Sequence, residues 1–185
     1  MRLILFTLFA SVLVGYAAGG RLWNVAGIPL RWPALALGGI GLQFVPLGRG
    51  ATAALLLLSF ALLIVFAAAN ARFPGFALIL VGLALNTMVI AINQGMPVTR
   101  YALVASGQQA TFHELVAGGG SKHHLAGDDH LLFLGDVIPL GWPLSQAVSV
   151  GDLLVHAGVF LFVVSGMRRR PTVGSRGTPV AKTPP

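Results

Sequence analysis

Long apolar runs separated by short polar stretches dominate the chain, and their lengths predict helices that cross a membrane. Five such runs lie near residues 3–19, 32–47, 51–71, 75–93 and 150–167. A helix rises about 1.5 Å per residue, so about 20 residues are needed to cross a hydrocarbon core about 30 Å thick. The second run is short and rich in glycine, which lowers helix propensity but lets neighbouring membrane helices approach closely. We predict an all-α integral membrane bundle of about five transmembrane helices.

The segment between the fourth and fifth runs carries most of the polar chemistry. We predict that residues 94–149 form a partly ordered outer loop of a membrane domain that spans residues 1–167. Within this loop, Thr111-x-x-Glu114 fits a capping box and predicts a short interfacial helix through Ala117. Residues 168–185 are basic and rich in proline, with few apolar side chains to bury, which predicts a disordered cytoplasmic tail.

The composition is typical of a surface that faces lipid. Hydrophobic residues make up 56% of the chain and charged residues 9%, against about 25% charged residues in a typical soluble domain. The net charge of +7 is spread over the ends of the apolar runs, as topology signals are, so we expect the lipid bilayer rather than nucleic acid as a partner. The absence of cysteine excludes disulfides, thiolate metal sites and thiol nucleophiles.

The distribution of lysine and arginine predicts the orientation. Cytoplasmic loops carry an excess of these residues, which favours five spans in the cell membrane with the N-terminus outside and the C-terminus in the cytoplasm. The first run also fits a secretory signal peptide with a small-x-small site at Gly15-Tyr16-Ala17, whose cleavage would leave the other spans unchanged. The predicted inner side holds Arg21, Arg31, Arg72, Arg168, Arg169, Arg170, Arg176 and Lys182, and the outer side holds Arg2, Arg49, Arg100 and Lys122.

Several short motifs follow one another in a characteristic order up to Met167. They are Gly20-Arg21-Leu22-Trp23-Asn24 before Ile28-Pro29-Leu30, then Asn86 with Asn93-Gln94-Gly95-Met96-Pro97-Val98, then Lys122-His123 with Leu134-Gly135-Asp136-Val137-Ile138-Pro139, and finally Ser149-Val150-Gly151-Asp152. In this order they resemble an uncharacterised family of bacterial multi-pass membrane proteins that is defined only as a domain of unknown function. The resemblance implies several membrane spans and no established reaction.

Two ionisable residues stand at the start of the last run. Asp152 and His156 are four residues apart, which places them on one face of a helix and close enough to touch. An ionisable group inside a membrane span is a functional candidate because an unpaired one is costly. For Asp152 we favour a structural role, because Ser149 and Asp152 have the spacing of an N-terminal capping box.

A cluster of possible metal ligands lies in the outer loop. Imidazole and carboxylate groups suit zinc, manganese or iron, so a divalent metal is one hypothesis for this window. The spacing matches no familiar zinc motif, and neighbouring glycines indicate a flexible loop, so a solvated polar loop is the favoured alternative. The candidate ligands are His123, His124, Asp128, Asp129 and His130.

Three further polar residues have two interpretations each. Asp136 has apolar neighbours that would bury it and raise its pKa, as an acid catalyst requires, but we favour a turn closed by a bond to its own backbone before Pro139. Asn86 and Asn93 form one stripe with Gly82 on the fourth run. A polar stripe in lipid faces protein or a cavity, and we favour hydrogen bonds between helices over a lining for a ligand pocket.

Three functions fit these features. The favoured one is an accessory protein that binds a small ligand or a protein partner at its outer face, near Lys122, His123, Asp136 and Asp152. The first alternative is a membrane-embedded enzyme, with or without a metal, that uses aspartate and histidine of the outer loop and last helix. The second is a small transporter, and the scarcity of charges inside the spans counts against it.

Overall fold

Helices account for most of the chain in the computed structural model, which describes residues 2–45, 49–119 and 122–169. The predicted tail lies outside the described residues from position 170 onward. The α-helices are α1 (Arg2–Ala17), α2 (Trp23–Ala26), α3 (Pro33–Leu42), α4 (Arg49–Ala69), α5 (Phe76–Asn93), α6 (Arg100–Ala105), α7 (Gln109–Val116) and α8 (Val150–Met167). The strands are β1 (Met96–Val98), β2 (His123–Leu125), β3 (Ile138–Leu140) and β4 (Gln146–Val148), and a 3-10 turn covers Leu132–Leu134.

Within the described residues, three helices, α4, α5 and α8, are long and apolar enough to cross a membrane. Helix α1 has 16 residues and α3 has 10, so both fall short of the roughly 20 residues that a straight crossing needs. The mostly helical fold is therefore confirmed, whereas the prediction of about five spans is supported for three. The apolar helices leave large side chains such as Phe9, Leu58 and Leu161 exposed, which suits contact with lipid.

The long helices run alternately up and down. Gly82 of α5 packs against Gly151 at the start of α8, and Gly75 packs against Gly158 further along it, so α5 and α8 are antiparallel. Side chains at glycine positions 82 and 151 would collide with the facing backbone, which explains why glycine lines this helix pair. Helix α1 is parallel to α8, because Leu3 N donates to Gln146 Oε1 just before α8 begins, at 3.4 Å.

Helix α3 is a half-length helix that lies against α4. Its C-terminal residue Gln43 donates through Nε2 to Ser59 Oγ at 3.0 Å, and Ser59 Oγ donates to the Gly39 carbonyl at 2.7 Å. Ser59 lies about ten residues into α4, which corresponds to about 15 Å along the helix axis. The short glycine-containing run predicted at 32–47 therefore ends its helix about halfway along its neighbour.

The outer segment, residues 94–149, folds around its own apolar core in the part that the structure describes. Strands β1 and β2 pair in parallel, and β3 and β4 pair antiparallel. The core residues are Val98, Ala102, Leu103, Leu115 and Ala147. The prediction of a partly ordered outer loop included no strands, because runs of three residues are too short to show a strand periodicity.

The capping box predicted at Thr111 is wrong. Helix α7 begins two residues earlier, at Gln109, and its N-cap residue Gln108 makes no side-chain capping bond. Gln108 Oε1 instead accepts from the backbone N–H of Ala147 at 2.7 Å and joins α7 to strand β4. The long-range contact overrides the local capping pattern at this helix start.

The two ends of the bundle differ in their charged residues. At the end where α8 finishes, the backbone N–H of Arg21 donates to the Met167 carbonyl at 2.8 Å, and Arg72 and Arg169 both lie over the ring of Phe73. We call this the arginine end. The acidic residues lie at the opposite end, in the outer segment and the first turn of α8, namely Glu114, Asp128, Asp129, Asp136 and Asp152.

Candidate functional site

A polar cleft lies where the outer segment meets α5 and the start of α8. It consists of two cavities, of about 220 and 130 Å³, and the side chains of His123, Asp136 and Asp152 line both of them. The larger cavity is also lined by Val98, Leu103, Gln108, Thr111, Leu115, Gln146 and Ala147. The smaller is also lined by Gln43, Leu56, Phe60, Asn86, Ile90, Met96 and Lys122.

Asp136 is held at the centre of this cleft by its backbone. Its N–H donates to the Pro97 carbonyl at 2.9 Å, and its carbonyl accepts from Thr99 N at 3.3 Å, next to strand β1. Its side chain is 7% exposed, and Oδ2 lies 3.3 Å from His123 Nε2. Oδ1 is buried and has no hydrogen-bond partner within the described residues.

The environment of Asp136 disfavours the ionised form of its carboxyl group. Burial raises the pKa of Asp136, the contact with His123 opposes that rise, and the nearby charge of Asp152 adds to it. The favoured prediction, a turn closed by a bond from the side chain to its own backbone, is wrong. The alternative prediction that Asp136 is buried is confirmed, since the residue is 5% exposed.

Asp152 serves as the N-terminal cap of α8, as predicted. Ser149 Oγ accepts from Asp152 N at 2.9 Å, and Asp152 Oδ2 accepts from Ser149 N at 3.2 Å, which completes a capping box. The other carboxylate oxygen, Oδ1, accepts from Asn86 Nδ2 at 2.7 Å. Ser149 Oγ also donates to Asn86 Oδ1 at 3.0 Å, so one network joins α5 to the cap of α8.

No hydrogen bond joins Asp152 to the buried Nδ1 of His156 within the described residues. Both oxygens of Asp152 accept hydrogen bonds from Asn86 and Ser149 instead. His156 Nδ1 is buried without a hydrogen-bond partner in the described ranges, and His156 does not line either cavity. His156 is therefore separate from the polar cleft.

The predicted metal window is divided by strand β2. Successive side chains of a strand point to opposite faces, so His123 faces Asp136 whereas His124 Nε2 lies 2.7 Å from Asp129 Oδ1. His130 is joined to the bundle by its backbone and not by its ring, and Asp128 is exposed. Across the described residues, no three histidine or acidic side chains come together as a metal would require.

His124 and Asp129 form a second pair, which lies outside both cavities. The pKa of Asp129 shifts in the direction opposite to that of Asp136. Burial opposes the ionisation of Asp129, but the N–H of Gly127 at 2.9 Å and the imidazole of His124 outweigh it and lower the pKa of Asp129. The chain thus contains two aspartate–histidine pairs, one inside the cleft and one outside it. The outer pair provides a control for every substitution in the inner pair.

Lys122 and the asparagines have structural contacts around the cleft. The Lys122 ammonium donates to the Gln43 carbonyl at the C-terminus of α3, where a cation is stabilised by the helix dipole. Asn93 exchanges two hydrogen bonds of 2.9 Å with the backbone of His130 and joins the end of α5 to the outer segment. The interhelical interpretation of the asparagine stripe is confirmed for Asn86, which also lines the smaller cavity.

Several lining residues were not singled out by the sequence. Gln43 carries a weak signal, because it is a polar residue inside an apolar run. Gln108 and Gln146 carry none, and Thr111 was noted only for a capping box, since the place of all three in the larger cavity depends on how α7 and β4 pack. The cleft as a whole offers one acid–base pair, one further carboxylate and a ring of neutral hydrogen-bonding side chains.

Comparison with known proteins places the chain among relatives whose role has not been described. An uncharacterized protein of Thermotoga maritima is 36% identical over 110 residues, which cover 58% of this chain and 61% of the relative. The chain thus matches less than two thirds of that relative's length, and no solved structure shows a significant match. A family model described as "Family of unknown function (DUF5317)" matches residues 28–164, a range that contains the whole polar cleft. Because that match covers most of the chain, this protein belongs to the DUF5317 family of unknown function.

Proposed function

We propose that this protein is a multi-pass protein of the cell membrane that binds a small ligand in the polar cleft at its outer face. The observation that carries the proposal is the position of Asp136. It lines both cavities, its side chain is 7% exposed, and its Oδ1 lacks a hydrogen-bond partner in the described part of the chain. A buried acceptor without a donor costs about 1–3 kcal/mol, and a bound ligand that supplies the donor removes that cost.

The shape of the cleft supports ligand binding over a purely structural role. Binding sites are concave and mostly apolar, with a few polar groups that converge on the ligand. Here His123, Asp136 and Asp152 are the polar groups that both cavities share, and apolar side chains such as Leu103 and Leu56 form part of the walls. Asp152 is already rigid because it caps α8 and binds Asn86, so the site needs little ordering before it binds.

The charges at the two ends of the bundle support the proposed orientation. The arginine end contains Arg21, Arg31, Arg72 and Arg169, and an excess of such residues favours the cytoplasmic side. The outer segment with its acidic residues then lies outside the cell. In this proposal α1 and α3 complete the five crossings, α1 beside α8 and α3 as a half-length helix beside α4.

A membrane-embedded enzyme is the second candidate, and the pairing of Asp136 with His123 favours it. A general acid needs a proton at working pH, and burial of the carboxyl group raises the pKa of Asp136 in that direction. The 3.3 Å contact with His123 Nε2 provides a partner that accepts or returns the proton. In this case the ligand of the cleft would be a substrate.

Native mass spectrometry of the detergent-purified full chain, incubated with the water-soluble extract of the expressing cells, tests the proposal. A bound small molecule is expected on the wild type and on Asp129→Asn, whose substitution lies outside the cleft. It is expected to be lost from Asp136→Asn and from Thr111→Leu, which fills the larger cavity. Equal binding by all four proteins, or binding by none, would contradict the proposal, and a changed mass of the recovered molecule would favour the enzyme.

A further inference from the structure

We propose that the larger cavity of the polar cleft binds its ligand through a protonated amine whose N–H groups donate to Asp136 Oδ1, an inference that rests on the proposed ligand-binding function. The starting point is the difference between the two oxygens of this carboxyl group. Oδ2 faces His123 Nε2 at 3.3 Å, whereas Oδ1 is buried and has no partner in the described ranges.

Whether Oδ1 donates or accepts a hydrogen bond depends on where the proton of the His123–Asp136 pair lies. When the proton lies between His123 Nε2 and Asp136 Oδ2, whichever of the two atoms carries it, Oδ1 is left with lone pairs and no hydrogen. Oδ1 is then a hydrogen-bond acceptor in both cases. In this arrangement the group that completes the site is a hydrogen-bond donor, and a carboxylate or an ether oxygen does not pair with Oδ1.

The charges around the larger cavity favour a cationic donor over a neutral one. Asp136 and Asp152 both line it, and no lysine or arginine is found among its described lining residues. Lys122, the lysine of the cleft, lines the smaller cavity, and its ammonium donates to the Gln43 carbonyl. An ammonium group in this cavity interacts favourably with the Asp152 carboxylate and also supplies the N–H donor that Asp136 Oδ1 lacks.

The volume and the walls limit the rest of the ligand. About 220 Å³ is below the roughly 300–1,000 Å³ of pockets for drug-sized molecules, so the ligand is small. Gln108, Thr111 and Gln146 add neutral hydrogen-bonding groups to the cavity, next to the apolar side chains of Val98 and Leu115. A short molecule with one ammonium group and one or two hydroxyl groups matches this lining.

Four probes with the same two-carbon frame test the inference by saturation-transfer NMR on the detergent-purified full chain. Ethanolamine carries an ammonium group with N–H donors, choline a cation without N–H donors, ethylene glycol a neutral donor, and glycolate an anion. Ethanolamine is expected to bind the wild type about tenfold or more tightly than the other three. Asp136→Asn is expected to weaken ethanolamine binding by about 10- to 100-fold, the range for a hydrogen bond between charged groups.

Two further variants complete the experiment. Asp129→Asn alters the aspartate of the pair outside the cleft and is expected to bind ethanolamine like the wild type. Thr111→Leu is expected to exclude ethanolamine by filling the cavity. This variant replaces Asp136→Asn in the experiment if Asp136→Asn fails to fold. Equal or tighter binding of choline, ethylene glycol or glycolate at the same residues would overturn the preference for an N–H cation while leaving the ligand-binding cleft intact. Absence of ethanolamine binding would also overturn the inference. The native mass spectrometry experiment with cell extract does not depend on the ligand being an amine, so it tests the proposed function separately.

Discussion

Asn86 and Asp152 are joined by a hydrogen bond of 2.7 Å from Nδ2 to Oδ1, which connects the middle of α5 to the first turn of α8. The same carboxylate caps α8 through Ser149. One aspartate thus fixes the start of a helix, the packing of two helices and one wall of both cavities.

Replacement of Asn86 by leucine should destabilise the protein by about 1–3 kcal/mol. Interhelical hydrogen bonds in membrane proteins contribute about 0.6–2 kcal/mol, and the substitution also leaves Asp152 Oδ1 without its donor. The thermal unfolding midpoint in detergent is the measurement. Asn93→Leu on the same helix is the control and should lower the midpoint less, because its bonds to His130 lie at an exposed position.

Replacement of Gly82 by alanine should separate α5 from α8. The added Cβ would collide with the Gly151 carbonyl oxygen and crowd Val155, and such overpacking costs about 1–3 kcal/mol. Gly41→Ala in α3 meets no atom within 4 Å and should be neutral or stabilising. Both variants are measured in the same unfolding assay. A similar loss of stability for both would show that close helix packing at Gly82 does not cause the destabilisation of Gly82→Ala.

Replacement of Asp136 and replacement of Asp129 by asparagine should change the pH dependence of stability in opposite directions, each compared with the wild type. The folded protein raises the pKa of Asp136 above its ordinary value of 3.8, so the folded state holds this proton more tightly and stability falls as pH rises above that value. Asp136→Asn removes this loss and should be more stable than the wild type at neutral pH, unless a ligand occupies the cleft.

Asp129 provides the matched comparison. Its pKa is lowered below 3.8 in the folded protein, so its ionised form adds stability above that value, and this contribution disappears as pH falls through the lowered pKa. Asp129→Asn should therefore be less stable than the wild type at neutral pH and converge with it in acid. Unfolding midpoints across the pH range test both variants, and a destabilised Asp136→Asn at neutral pH would contradict the account of its burial.

Replacement of Lys122 by methionine should weaken the contact between the outer segment and α3. Methionine keeps most of the length of the side chain but cannot donate to the Gln43 carbonyl, and the loss of such a contact costs about 1 kcal/mol. Limited proteolysis should cut the outer segment faster in Lys122→Met than in the wild type. Lys122→Arg keeps the donor and the charge, and equal cleavage of both variants would exclude this role.

Structural features that depend on residues close together in the chain could be predicted from the sequence. Features that depend on contacts between distant residues could not. Ser149 and Asp152 are three residues apart, so their capping box was visible in the sequence. Burial of Asp136 depends on its backbone pairing with Pro97 and Thr99, almost forty residues earlier, which no local pattern shows. Asp152 Oδ1 accepts a hydrogen bond from Asn86 of another helix, a partner that the local spacing of Asp152 and His156 did not indicate.

The apolar runs likewise showed where the helices lie but not how long each one is. The runs at 51–71, 75–93 and 150–167 correspond to long helices, whereas the run at 32–47 contains a helix of 10 residues. At the end of α3, the side chain of Gln43 bonds Ser59 of α4. Such an ending depends on tertiary contacts and has no signature in hydrophobicity.

The central claim, a cleft on the outer side of a membrane bundle, is tested most directly by labelling single cysteines in intact cells. The chain contains no cysteine, so Tyr101→Cys on the exposed face of α6, Thr111→Cys in the larger cavity and Ala71→Cys after α4 each report one position. A membrane-impermeant maleimide should label positions 101 and 111 from outside and position 71 only after the membrane is permeabilised. Labelling of position 71 but not of 101 in intact cells would contradict the claim.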